Sequence, residues 1–290
     1  MSNGTRTLWE LLEGEEYSVV YGAGDTILRE GDVGTSMHVV LSGAVDVHHA
    51  GQPLERLGVG GLFGELALID GEPRGASARA AEVCSLAIIG RRRFEALLTE
   101  SSAFALEVMR VTADRLRRRT SDGARLAGFL RESRVPATFA PLEDSDHSAA
   151  KGADDDARRR ERFLREVRSR GTGRRSVRAG ERVFEEGEPG DEMYVVAAGA
   201  VEIRIGDRLL ESLAAGGVFG ELSVVEPAAR SATAEAVADT ELIAVGRERF
   251  QLLAHFSPPF ALEVLRVMAD RLRLRTQDCG RLAAIIRAGL

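Results

Sequence analysis

The sequence predicts a mainly β protein with flanking α-helices, arranged as two tandem jelly-roll-like β-barrels, each closed by C-terminal helices. Three observations carry that prediction. The first half returns in the second at a constant offset of 156 positions (221 − 65 = 156 and 230 − 74 = 156). Within each copy, apolar residues first alternate with polar ones between glycines. The apolar spacing then changes to steps of three and four. A repeat this long is a duplicated domain, not one turn of a solenoid.

The elements follow in order. Met37, Val39 and Leu41 alternate with His38, Val40 and Ser42; Gly43 breaks the run, and Val45 and Val47 resume it. This is the period-two signature of strands joined by tight turns. Further strands are expected over 54–57 and 86–89. After Gly90, Phe94, Leu97 and Leu98 predict a short helix. Leu106, Met109, Ala113 and Leu116 predict a longer one over 103–120, repeated by Leu262, Leu265, Ala269 and Leu272 over 259–276. Several short strands at turn-rich spacing point to a small jelly-roll-like barrel. Residues 135–157 hold Pro136, Pro141 and two acidic runs with few apolar residues, and read as a flexible acidic linker. The first domain is therefore expected over 1–134 and the second over 158–290. Residues 158–168 read as a helical entry with Phe163, Leu164 and Val167 on its apolar face; residues 8–12 are the corresponding entry to the first domain.

Composition narrows the class. A length of 290 residues leaves room for two domains. The net charge of −6 gives no reason to expect nucleic acid or an acidic membrane as partner. No apolar run reaches the roughly 18 residues needed to span a bilayer, and the N-terminus lacks a secretory apolar stretch, so a cytoplasmic location is expected. Cys84 and Cys279 occupy unmatched positions outside any metal-type pair and read as small buried apolar residues. Lys151 is the only lysine, and the arginine bias with abundant Ala and Gly suggests a GC-rich bacterial genome. His38, His48, His49, His147 and His255 show no metal-ligand spacing, and no nucleophile motif is present, so neither a metal nor an enzyme activity is expected. The arginine runs at 91–93 and 117–119 lie among acids and read as solvated helix faces. The segments 128–134 and 283–290 are too short for a helix-turn-helix. Gly58, Gly60 and Gly61 read as turns rather than a dinucleotide loop, because the sixth position is Phe63. Arg174-Arg175-Ser176 could be a kinase site, but Ser176 is expected to start a strand.

The chemistry is concentrated in one repeated stretch. Phe63-Gly64-Glu65-Leu66 returns as Phe219-Gly220-Glu221-Leu222, and an arginine follows each glutamate by nine residues, Arg74 and Arg230. With Glu30-Gly31, Gly34 and Gly43, repeated as Glu186-Gly187, Gly190 and Gly199, this order resembles the cyclic-nucleotide-binding domain of catabolite activators, protein kinase A regulatory subunits and cyclic-nucleotide-gated channels. The resemblance covers 17–126 and 176–282. It implies that 63–77 and 219–233 are phosphate-binding cassettes, in which Glu65 and Glu221 take the ribose 2′-hydroxyl and Arg74 and Arg230 the cyclic phosphate. The site residues it implies are Gly64, Glu65, Leu66, Arg74, Gly75 and Ser77 in the first copy. In the second they are Gly220, Glu221, Leu222, Arg230, Ser231 and Thr233. The family's long helix caps the base, which makes Thr120 and Thr276 the adenine-contact candidates.

Physical chemistry supports the same assignment. A guanidinium fork meets two phosphate oxygens with charge-assisted bonds in a geometry that lysine lacks. Free N–H groups at the start of a short helix over 65–70 also point at an anion. An ionised glutamate, acceptor-only, suits a ribose hydroxyl and offsets the cost of burying the arginine in the empty site. The cassettes are not identical: Pro73 becomes Ala229, with Pro227 two residues earlier, and Gly75 becomes Ser231. Two sites of unequal affinity or selectivity are expected, with cAMP favoured over cGMP. The expected function is a cytoplasmic sensor and regulatory protein in signal transduction, without an output domain of its own, acting through helix rearrangement on an unknown protein partner. Its long helices could pair within the chain or form a homodimer. The alternative is a ligand-independent scaffold that keeps the barrel fold.

Overall fold

A computed structural model describes residues 18–132, 153–169 and 173–289. By contact density the chain divides into two compact units. One runs to Leu116 and includes Leu265–Arg281; the other comprises Arg117–Val264 and the residues from Leu282 onward.

The first unit contains β1 (Ser18–Tyr21), β2 (Thr26–Leu28), β3 (Ser36–Ser42), β4 (Val45–His49), β5 (Gln52–Leu57), β6 (Leu62–Phe63), β7 (Ser77–Ala80) and β8 (Cys84–Gly90). They form two antiparallel sheets, ordered β1-β8-β3-β6 and β2-β7-β4-β5. Helix α1 (Leu66–Ile69) lies between β6 and β7; α2 (Arg91–Glu100) and α3 (Ser102–Glu132) follow β8. The second unit is entered by α4 (Ala153–Ser169) and holds β9 (Gly173–Val177), β10 (Arg182–Phe184), β11 (Glu192–Ala198), β12 (Val201–Ile205), β13 (Arg208–Leu213), β14 (Val218–Phe219), β15 (Thr233–Ala236) and β16 (Thr240–Gly246). Its sheets, β9-β16-β11-β14 and β10-β15-β12-β13, repeat the first topology, with α5 (Glu221–Val225) and α6 (Arg247–Phe256); α7 (Pro258–Gly289) follows, its Leu265–Arg281 stretch belonging to the first unit, as α3 from Arg117 belongs to the second.

The predicted jelly-roll order is present, but each unit is a sandwich of two open four-stranded sheets rather than a closed barrel. Val40, Val45, Phe63, Ala78 and Leu86 form the first core between sheets; Val196, Val201, Phe219, Ala234 and Leu242 form the second. The alternation in β3 marks two buried faces, not one buried and one wet. His38 and Val40 are buried on one side, and Met37 and Val39 on the other, where α1 and α2 pack beside the strand.

Three boundaries differ from expectation. Helices α3 and α7 run to Glu132 and Gly289, past the predicted ends at 120 and 276. In α3, Leu126, Leu130 and the absence of proline sustain the helix through Gly123 and Gly128. Helix α4 begins at Ala153, so residues 153–157 of the expected linker are helical. Phe163 and Val167 are buried as predicted, and Phe163 stacks on Phe260 with centroids 5.5 Å apart. Both cysteines are buried, and among the described residues they form no disulfide. The entry segment 8–12, His147 and most of the linker lie outside the described residues.

Candidate functional site

Each cassette starts where a short strand meets a glycine in the left-handed region, Gly64 at φ 81° and Gly220 at φ 75°. A methyl group at either would lie 2.7 Å from an arginine Nη1, so the arginine and the turn need the missing side chain. The glycine loop before β3 then fixes the arginine backbone. The Arg74 N–H donates to Asp32 O (2.8 Å), and Arg74 O accepts from the Gly31 N–H (2.9 Å). Arg230 is held identically by Glu188 O (2.8 Å) and the Gly187 N–H (2.9 Å). Gly34 and Gly190 face the guanidinium groups: a side chain at Gly190 would collide with Arg230, and one at Gly34 would collide with Ala67 Cβ and crowd Arg74.

The glutamate offsets the arginine's burial, as expected, but its direct partner is another arginine. Glu65, 1% exposed, pairs with Arg115 of α3 at 2.8 Å. Arg115 also pairs with Glu55 (2.7 Å) and donates to Leu62 O (2.6 Å). Burial opposes the Arg115 charge, but Glu65 and Glu55 outweigh it and raise its proton affinity. Arg74 instead donates to two main-chain carbonyls, Gly64 O and Ser36 O, each at 2.6 Å. Burial lowers its proton affinity and Glu65 compensates through its field, not by contact. The reason is reach: α3 brings a second guanidinium to Glu65, and the pairing between residues 50 apart in sequence has no local signal.

Arg230 has a different cage. It donates to Glu192 O (2.8 Å), Gly220 O (3.2 Å) and Ser223 Oγ (2.6 Å), and its guanidinium lies 4.0 Å from the Phe184 ring centroid. Tyr194 donates to Glu192 (2.9 Å) and its ring lies 5.9 Å from the same guanidinium. The first-copy positions of Phe184, Tyr194 and Ser223 are Leu28, His38 and Ala67. The cages therefore differ in one aromatic face and one hydroxyl. Burial lowers the Arg230 proton affinity, and its Nε is buried without a hydrogen-bond partner. Among the described residues, no carboxylate lies within ion-pair distance of either arginine.

The remaining predicted residues are distributed as follows. Leu66 begins α1 and Leu222 stands in the first turn of α5, both half-buried. Helix α1 is a single turn, so any anion contact there comes from individual N–H groups rather than a macrodipole. Ser77 Oγ and Thr233 Oγ1 accept from the Glu30 and Glu186 N–H groups at 3.0 Å, tying β7 and β15 to the glycine loops. Gly75 O contacts His49 Nδ1 (2.8 Å), while Ser231 is half-buried. Thr276 packs in the unit that holds Arg74, and Thr120, 9% exposed, in the unit that holds Arg230. Sequence reasoning missed Arg115, His38 and the Phe184–Tyr194–Ser223 cage. Aligning the copies position by position shows that these three residues differ from Leu28, His38 and Ala67, but not that they meet at Arg230. Among the described residues, no group of His, Cys, Asp and Glu could hold a metal. Among them, too, no helix is long and apolar enough to cross a membrane.

A sequence model of the cyclic nucleotide-binding domain matches residues 18–101 and 174–255. A cAMP-dependent protein kinase regulatory subunit of Hypocrea atroviridis is 27% identical over 268 residues, covering 85% of this chain and 50% of that protein. A CRP-like cAMP-activated global transcriptional regulator of Mycobacterium tuberculosis is 34% identical over 99 residues, covering 32% of this chain and 44% of that protein. The chain thus spans about half the length of the curated relatives it matches. With fungal and bacterial relatives alike, the bacterial origin suggested by arginine usage gains no support. A solved structure described as cAMP bound PfPKA-R is 20% identical, with a TM-score of 0.32, covering 88% of this chain and 78% of that one. Two family matches, each enclosing one glycine–glutamate–arginine cassette, place this chain in the cyclic nucleotide-binding domain family.

Proposed function

We propose that the chain is a non-catalytic cyclic-nucleotide sensor with two sites, 63–77 and 219–233, acting in the cytoplasm on a protein partner. The observation that carries this reading is the pair of buried arginines whose hydrogen bonds go only to uncharged acceptors. A buried cation held this way gains most from an anion, and a cyclic phosphate supplies one charge and two oxygens to a guanidinium fork. Gly64 and Gly220 leave the approach open. Glu65 and Glu221, both buried acceptors, suit the ribose hydroxyl. The regulatory-subunit relatives, named for cAMP, support cAMP over cGMP. The domains would span 1–134 and 158–290, and ligand would bias α3 and α7 by its differential affinity for their arrangements. A homodimer through these helices would be an alternative to pairing within the chain.

Titration of the intact protein with cAMP and cGMP tests this. Micromolar or tighter cAMP binding is expected, with Arg74→Ala and Arg230→Ala each removing one site. Losing the charge-assisted contacts corresponds to about 3 kcal/mol, on the order of a hundredfold in affinity. No binding of either nucleotide at millimolar concentration would leave the ligand-independent scaffold as the surviving reading.

A further inference from the structure

The first cassette is held from outside its own repeat. Three α7 residues at intervals of seven follow it: Arg266 donates to Ile69 O, Arg273 contacts the turn before Arg74, and Gly280 faces the His49 ring. Heptad spacing keeps these positions on one helix face. Arg273 makes the densest set of contacts. Its Nε and Nη2 donate to the two carboxylate oxygens of Asp70, the latter bond 3.1 Å long, and its Nη1 donates to Pro73 O at 2.8 Å. A methyl group at Gly75 would lie 2.9 Å from that same Nη1.

The second cassette handles the equivalent arginine differently. Arg117, the counterpart of Arg273, pairs with Glu226 at 2.8 Å, as Arg273 does with Asp70. It then donates to Leu222 O and to Glu226 O (3.4 Å), whereas Arg273 reaches Pro73 O, the counterpart of Ala229 O. That cassette carries Ser231 where the first has Gly75. A side chain at position 75 would crowd a guanidinium held against the turn, and one of the two must shift.

We propose that Arg273 is the positioning residue of the first pocket, fixing the 70–75 turn that presents Arg74, and that position 75 is glycine because the guanidinium fills the space. This rests on the sensor reading for its effect on ligand but not for its effect on the turn. Helix α7 thereby sets the affinity of the first site, and by linkage occupancy of that site acts on α7. Burial lowers the Arg74 proton affinity, and the nearby Arg273 charge lowers it further, in keeping with the closeness of the two side chains at this turn.

The test uses the full chain and four variants: Arg273→Ala, Asp70→Asn, Gly75→Ser, and Gly75→Ser combined with Arg273→Ala. Without nucleotide, amide hydrogen exchange is followed at Arg74 and Gly31, whose N–H groups lock the turn. Arg273→Ala is expected to accelerate both by about tenfold, while Arg230 and Gly187 stay unchanged. Asp70→Asn breaks the contact from the turn side and should act in the same direction if the helix variant folds poorly. With cAMP, Arg273→Ala should weaken the Arg74 site by about tenfold and leave the Arg230 site unaltered. Gly75→Ser, despite adding a hydroxyl beside the phosphate, should also weaken the first site, and adding it to Arg273→Ala should cost nothing more. Unchanged exchange at Arg74 and Gly31 in both Arg273→Ala and Asp70→Asn overturns the proposal, as does tighter first-site binding in Gly75→Ser. If wild type binds no nucleotide, the sensor reading fails while the exchange data still decide the role of Arg273.

Discussion

At the residue scale, His38 is the most consequential side chain that alternation misassigned. It is 3% exposed, stacked on Phe63 with centroids 5.1 Å apart, and its Nδ1 has no hydrogen-bond partner. Burial, helped by the Arg74 charge, lowers its pKa from 6.5 to about 4. The folded protein therefore keeps His38 neutral where the unfolded chain takes up a proton. Its stability is whole above pH 6.5 and falls as pH drops toward 4, by about 2 kcal/mol at pH 5 from this group alone. His38→Phe should flatten that part of the profile, read as denaturation midpoints at pH 7 and pH 5 compared with wild type. An equal pH dependence in both proteins would show that His38 is not the group responsible. Tyr194 at the matching position carries no such liability, since burial and its bond to Glu192 raise its pKa and it stays neutral throughout this range. The candidate residues Gly64, Glu65 and Arg74 were legible in the sequence because a turn, an acid and a cation are local features. The partner of Glu65 was not, because Arg115 reaches it only once α3 has packed.

At the element scale, strand positions followed the predicted alternation closely, and the long helices outran it. Helix α3 continues through Gly128, where an added methyl group would meet nothing within 4 Å. Gly128→Ala should therefore relieve the backbone-entropy cost without a clash, raising stability by about 0.5–1 kcal/mol. A thermal melt checks this, and a lower midpoint would indicate a contact the glycine protects. The α3 end was poorly marked because Gly123 and Gly128 imitate a stop that the helix runs through. Propensity loses here to apolar contacts along the helix.

At the scale of the whole molecule, duplication and packing do not share a boundary. Leu265–Arg281 belongs by sequence to the second copy and by contact to the first unit. Residues 1–134 expressed alone would lack that segment and leave its apolar contacts and the Arg273–Asp70 pair unmade. Such a fragment should melt well below the same unit in the full chain, and adding residues 258–290 in trans should recover part of the difference; an identical melting temperature would contradict this. Sequence by itself determined the two copies, their strand–helix order and the glycine, glutamate and arginine of each cassette. Those features depend on residue type at short spacing, where sterics and charge act locally. Tertiary structure decided which guanidinium neutralises Glu65, which cage surrounds each arginine and which helix holds the first turn. Each of those choices joins groups far apart in the chain, and an ion pair or a packed ring exists only when the fold has brought its partners within a few ångströms.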